Sequence, residues 1–110
     1  MPTLFNPLNT NAIAATATSQ SRLFPTGDGQ RTQVSIYNAG PNDVFVEFGD
    51  STVVATFPAL NAAIGAQGNA TPIPAYAVIG FSNNPAATHW AAICAGTGTA
   101  NVYITMGEGL

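Results

Sequence analysis

The chain has 110 residues, of which 46% are apolar and only 6% charged, and its two arginines against five acids leave a net charge of −3. Such numbers exclude a disordered chain, which combines low hydrophobicity with high charge, and argue against a nucleic-acid binder, which needs several cations to displace condensed counterions. A soluble domain is typically about one quarter charged, so a surface this poor in charge is expected to lie against other protein, as in a subunit of an assembly.

The length fits one domain with its own core. Good helix formers are scarce, while Gly, Pro, Asn, Thr and β-branched residues dominate, and short alternating runs are bounded by turn residues. These are the marks of an all-β fold. Residues 1–11 read as an extended N-terminal arm: Pro2 and Pro7 bias their surroundings toward extended geometry, and Leu4, Phe5 and Leu8 are apolar side chains in search of a surface. The β-sandwich domain is expected over residues 12–110.

Ala12–Ser19 alternates small apolar residues with Thr and predicts a first strand. Arg22–Gln30, with Phe24-Pro25 and Gly27-Asp28-Gly29, predicts a loop. Gln33–Asn38 is a strand with Val34 and Ile36 on one face and Tyr37 on the other. Val44–Phe48 comes next, with Val44, Val46 and Phe48 inward and Phe45 and Glu47 outward. The short Gly/Pro/Asn link between these two predicts a hairpin. Thr52–Phe57 reads as a third strand of this region, and Pro58–Pro74 as a loop with one helical turn. Ala75–Phe81, Thr88–Ala95 and Asn101–Met106 complete the set. Trp90, Ala92 and Cys94 share one face of their strand, and Val102, Ile104 and Met106 point inward from theirs. About seven or eight strands at this spacing suit a single β-sandwich of jelly-roll type.

Candidate chemistry is thin. His89 and Cys94 fall on opposite faces of one strand, which fits neither a metal site of three or four ligands nor a nucleophile–base pair. Cys94 is the only cysteine and reads as a small core residue. Asp43, Glu47, Asp50 and Glu108 do not form the Asp-x-Asx-x-Asx-Gly calcium pattern, and read as solvated acids at loops and edges. Gly96-Thr97-Gly98 and Gly107-Glu108-Gly109 read as turns and lack the lysine of a phosphate loop. No catalytic residue, metal or cofactor is expected, and the chain reads as not an enzyme. No secretory signal is recognisable, because Asn6, Pro7 and Asn9 interrupt the first apolar cluster. No apolar run reaches the roughly 18–20 residues of a membrane helix. The aromatics carry more weight: Tyr37, Phe45 and Tyr103 face outward, and can serve a subunit interface, packing within the chain, or a ligand such as a sugar.

The stretches Thr32-Gln33-Val34-Ser35-Ile36-Tyr37-Asn38-Ala39-Gly40 and Val44-Phe45-Val46-Glu47-Phe48-Gly49 resemble small structural proteins of tailed-bacteriophage particles. So do Ile73-Pro74 at the entry to an apolar strand and the ending Gly98-Thr99-Ala100-Asn101-Val102-Tyr103-Ile104-Thr105-Met106-Gly107-Glu108-Gly109. The chain looks most like capsid decoration, or cement, proteins. The resemblance implies a homotrimeric sandwich subunit on the outside of the virion, made in the host cytoplasm, whose partner is the major capsid protein and which meets neither nucleic acid nor membrane. A head-fibre or tail-associated domain that binds host carbohydrate is the alternative. The expected contact residues are Leu4, Phe5 and Leu8 of the arm and the aromatics Tyr37, Phe45, Trp90 and Tyr103.

Overall fold

Alternation along the strands sets the architecture. In a computed structural model that describes residues 6–25, 33–56, 70–82, 87–94 and 97–108, eight strands form two four-stranded sheets. They are β1 (Asn6–Ala15), β2 (Gln20–Leu23), β3 (Gln33–Pro41), β4 (Val44–Gly49), β5 (Thr71–Ile73), β6 (Val78–Ser82), β7 (His89–Cys94) and β8 (Ala100–Glu108). One sheet, A, has the order β1-β8-β3-β6, and the other, B, has the order β2-β7-β4-β5. The pairs β1–β8, β2–β7, β3–β6 and β4–β5 are all antiparallel and nest one inside the next. That nesting, folded into two facing sheets, is a jelly roll.

The core lies between the sheets. Val34 and Ile36 of β3, Val102, Ile104 and Met106 of β8 and Ile13 of β1 face Val44 and Val46 of β4 and Trp90, Ala92 and Cys94 of β7. Phe24, from the turn after β2, fills the same space and meets Phe48, which in turn meets Phe81 edge-on. Each large side chain so buried contributes roughly 1.5–3 kcal/mol.

Several expectations are corrected by this topology. The β3–β4 hairpin does not form: β3 belongs to sheet A and β4 to sheet B, so the link is a corner between layers. Alternation and a short turn suit a hairpin and a corner equally, and burial decides. Asn38, fully buried, pins the corner. Its Oδ1 accepts from the Gly40 amide at 2.8 Å, and its Nδ2 donates to the carbonyls of Asn42 (2.8 Å) and Ile73 (3.0 Å), tying β3 to β5 across the layers. Gly40 has φ +75°, and the Tyr76 ring lies 2.6 Å from where a Cβ would stand, so glycine is required on both counts.

The arm is also corrected. Asn6–Asn11 are not an arm but the first part of β1, paired with β8 from Glu108 to Ile104. Pro7 is tolerated because β1 is an edge strand, and the register shifts between Pro7 and Asn9. The boundary at residue 11 therefore falls inside a strand; residues 1–5 lie outside the described ones. Beyond Ala15 the expected strand yields to a turn, in which the Thr18 amide donates to Thr16 Oγ1. β2 stands where a loop was expected, since all four of its side chains are exposed and leave no alternation to read. Val53–Thr56 is not a strand. The Asp50 carboxylate accepts from the Thr52 amide at 2.8 Å and hydroxyl at 2.6 Å, turning the chain onto the outside of sheet B. Most of the expected loop and helical turn at residues 58–74 lies outside the described residues, and its end forms β5.

Candidate interaction surface

The outward-facing residues of sheet A form rows set by register. Tyr37 of β3 lies opposite Tyr103 of β8 and Val78 of β6, and Tyr103 lies opposite Ala12 of β1. The tyrosine rings stack at 6.3 Å between centroids with 19° between planes. They remain 39% and 41% exposed, and Val78 is 65% exposed. The next row is Thr10, Thr105, Ser35 and Gly80, with the two threonine hydroxyls 2.9 Å apart. No charged side chain occurs in either row. The result is two rows of uncharged side chains centred on an aromatic pair.

Sheet B differs. Its outward residues Ala91 and Ile93 of β7 and Phe45 of β4 pack under Val53 and Ala55. The Ala55 amide donates to Ser19 Oγ at 2.9 Å and pins the covering segment across the sheet. Phe45 is outward as expected, yet it is half-buried beneath this cover.

Trp90 is corrected outright as a contact residue. It has no exposed surface, and its indole N–H donates to Asn11 Oδ1 at 3.2 Å. The alternation of β7 turns it inward with Ala92 and Cys94, and an indole that fills the core cannot meet a partner. Leu4 and Phe5 lie outside the described residues; Leu8 lies in β1, with its side chain outside them. Tyr37 and Tyr103 are therefore the expected residues that the fold brings together at an open surface. Val78 joins them, and only the strand register reveals it.

The residues with chemical potential are dispersed. His89 faces outward on sheet B, with Nδ1 2.8 Å from Thr88 Oγ1. Cys94 points inward, 3.8 Å from the Ala15 carbonyl, and burial pushes its thiol pKa up, with the nearby Asp43 charge adding to the effect. Asp43 accepts from the Ala75 amide at 2.9 Å. Among the described residues no group of three or more His, Cys, Asp or Glu side chains converges on a metal position.

No family model matches the chain, and no curated protein matches it. Solved structures do. The chain is similar to a subunit of Bacillus endospore appendages, described as a family of disulfide-linked pili, at 13% identity and TM-score 0.51, over 99% of this chain and 89% of that one. It is similar to a de novo designed double-stranded β-helix at 10% identity and TM-score 0.52, over 90% of this chain and 99% of that one. It also overlays half of the hydroxypropylphosphonic acid epoxidase of S. wedmorenis at 12% identity and TM-score 0.48, with 94% of this chain covered. The first two likenesses are of fold, and they agree with the jelly-roll topology.

Proposed function

We propose that this protein is a structural subunit of a tailed-bacteriophage particle, a decoration protein that binds the outside of the head as a homotrimer and bridges major capsid subunits. The observation that carries the reading is the neutral outer face of sheet A, centred on the stacked Tyr37–Tyr103 pair. Tyrosines are favoured anchors in protein contacts, because they supply large amphipathic area at little entropic cost. The scarcity of charge points the same way. In this reading the chain performs no chemistry. A ligand that binds only the assembled lattice stabilises it by linkage, by about 2.7 kcal/mol at a hundredfold excess over Kd. Several weak contacts per oligomer add through effective concentration. The Bacillus appendage subunit that shares the fold builds disulfide-linked pili. Cys94, single and buried, makes any comparable contact here non-covalent.

The exposed tyrosine stack also favours a second reading, a fibre or tail domain that stacks on host sugars. One experiment separates them. Purified protein is added to heads that lack it, and the particles are viewed by electron microscopy and heated. Decoration predicts new density on the outer shell and a higher disruption temperature, both lost with Tyr37→Lys and Tyr103→Lys. Density at the tail, with glycan binding and unchanged heat stability, supports the second reading and sinks the first.

A further inference from the structure

The four sheet edges are treated unequally. An unpaired edge strand is a template for another chain, and proteins usually block it with charge, proline, irregularity or short length. Along β1, the Arg22 guanidinium donates to the Ala12 carbonyl at 2.8 Å, and Pro7 sits beside a register shift. Along β2, Asn11 Nδ2 donates to the Leu23 carbonyl at 2.9 Å. β5 has three residues, of which Pro72 has no N–H, and Pro74 lies just beyond it. Among the described residues β6 shows none of these devices: it has five residues, Val78-Ile79-Gly80-Phe81-Ser82, with no charge and no proline.

The ladder fixes which groups of β6 are free. The Asn38 amide donates to the Ala77 carbonyl at 3.0 Å, and Tyr37 lies opposite Val78. In an antiparallel pair the bonded residues alternate, so Ile79 and Phe81 turn their amides and carbonyls to β3. Val78, Gly80 and Ser82 turn theirs to the open side, where no described strand pairs with them.

We propose that a second copy of this chain pairs with this edge, β6 to β6, antiparallel about a two-fold axis with Gly80 opposite Gly80. Each copy then offers the same set of free groups in the same phase, so the bonds close reciprocally, as an isologous contact demands. Glycine at the axis leaves no side chain to obstruct the approach, and its added Cβ would meet only the Val34 carbonyl of its paired strand β3, at 3.9 Å. A neutral strand meets its copy without like-charge repulsion, whereas a charged one would not. The two neutral outer faces become one continuous face. This contact does not rest on the capsid reading. A strand of five residues falls short of the roughly 800 Å² per partner of a standard interface, so pairing is concentration-dependent.

Sedimentation and amide exchange test it on the purified chain. The expected mass is an even multiple of the 11.2 kDa chain at high concentration. The amides of Val78 and Gly80 should become protected as concentration rises. Gly80→Pro removes an outward N–H that the β3 ladder does not use, and Val78→Lys places a charge on an exposed edge position. Each should raise the dissociation constant about tenfold or more without lowering the unfolding midpoint at low concentration. A wild-type chain that stays monomeric or purely trimeric overturns the proposal. So does dimerisation that survives both variants, or that is lost with Tyr103→Lys alone, which would place the contact on the face. Protection of those amides only when an unrelated extended peptide is present would assign the edge to another partner and equally overturn it.

Discussion

Ala91 and Tyr103 both point away from the core on the central strands of their sheets, yet Ala91 has no exposed surface and Tyr103 is 41% exposed. The difference comes from the chain after β4. It turns at Asp50, crosses the outside of sheet B through Val53 and Ala55, and is held at Ser19. Among the described residues nothing comparable crosses sheet A. An outward position in a sandwich is thus a position relative to the other sheet, and exposure is a separate matter, decided by where the connecting segments run. The outer face of sheet B is covered by its own chain, while the Tyr37–Tyr103–Val78 row of sheet A stays exposed.

The hardest test of that contrast places the same charge on both faces. Ala91→Asp buries a carboxylate beside Glu47, its neighbour in register, and should cost at least about 3 kcal/mol. Ser35→Asp, in the open row, should cost within about 1 kcal/mol. Urea unfolding reads both; equal losses would mean that the two faces do not differ. A smaller effect sharpens the contrast on the open side. Replacing Tyr37 and Tyr103 together by Ser removes one stacked pair and should lower stability by about 1 kcal/mol, while binding to partner protein falls far more steeply.

The smallest effect concerns the turn that launches the cover. Hydrogen bonds from the Thr52 hydroxyl and amide, helped by the His89 charge, hold the Asp50 carboxyl below its ordinary value of 3.8. A depressed carboxyl contributes stability that is present above that ordinary value and is lost as pH falls through the folded one. Asp50→Asn should therefore lower the urea midpoint slightly at about pH 7, and the gap should close as pH falls through the folded value and the wild-type carboxyl takes up its proton. A gap that persists in acid would show that the turn acts through shape alone.

Much of the fold was legible. The alternation of Val34 and Ile36, of Val44 and Val46, of Trp90, Ala92 and Cys94, and of Val102, Ile104 and Met106 gave four strands with the correct inward faces. Alternation is a local property, set by the two-residue period of an extended chain. β2 and β5 stayed hidden because an exposed edge strand, or one of three residues, carries no such period. At the candidate surface, Tyr37 and Tyr103 were legible as outward aromatics, whereas Val78 was not, since it joins them only through register. Trp90 was expected at a contact for its residue type, although its own alternation already placed it with Cys94.

The chain by itself determined that it would be an all-β protein of low charge, with which residues turned inward along its best strands, because side-chain direction is dictated by the backbone period. Tertiary structure decided that β3 and β4 part company at Asn38 and, among the described residues, that one outer face is roofed and the other is not and that β6 is the edge left without a guard. Those features depend on which distant segments meet, and a contact between residues far apart in sequence leaves no trace in the local pattern of either.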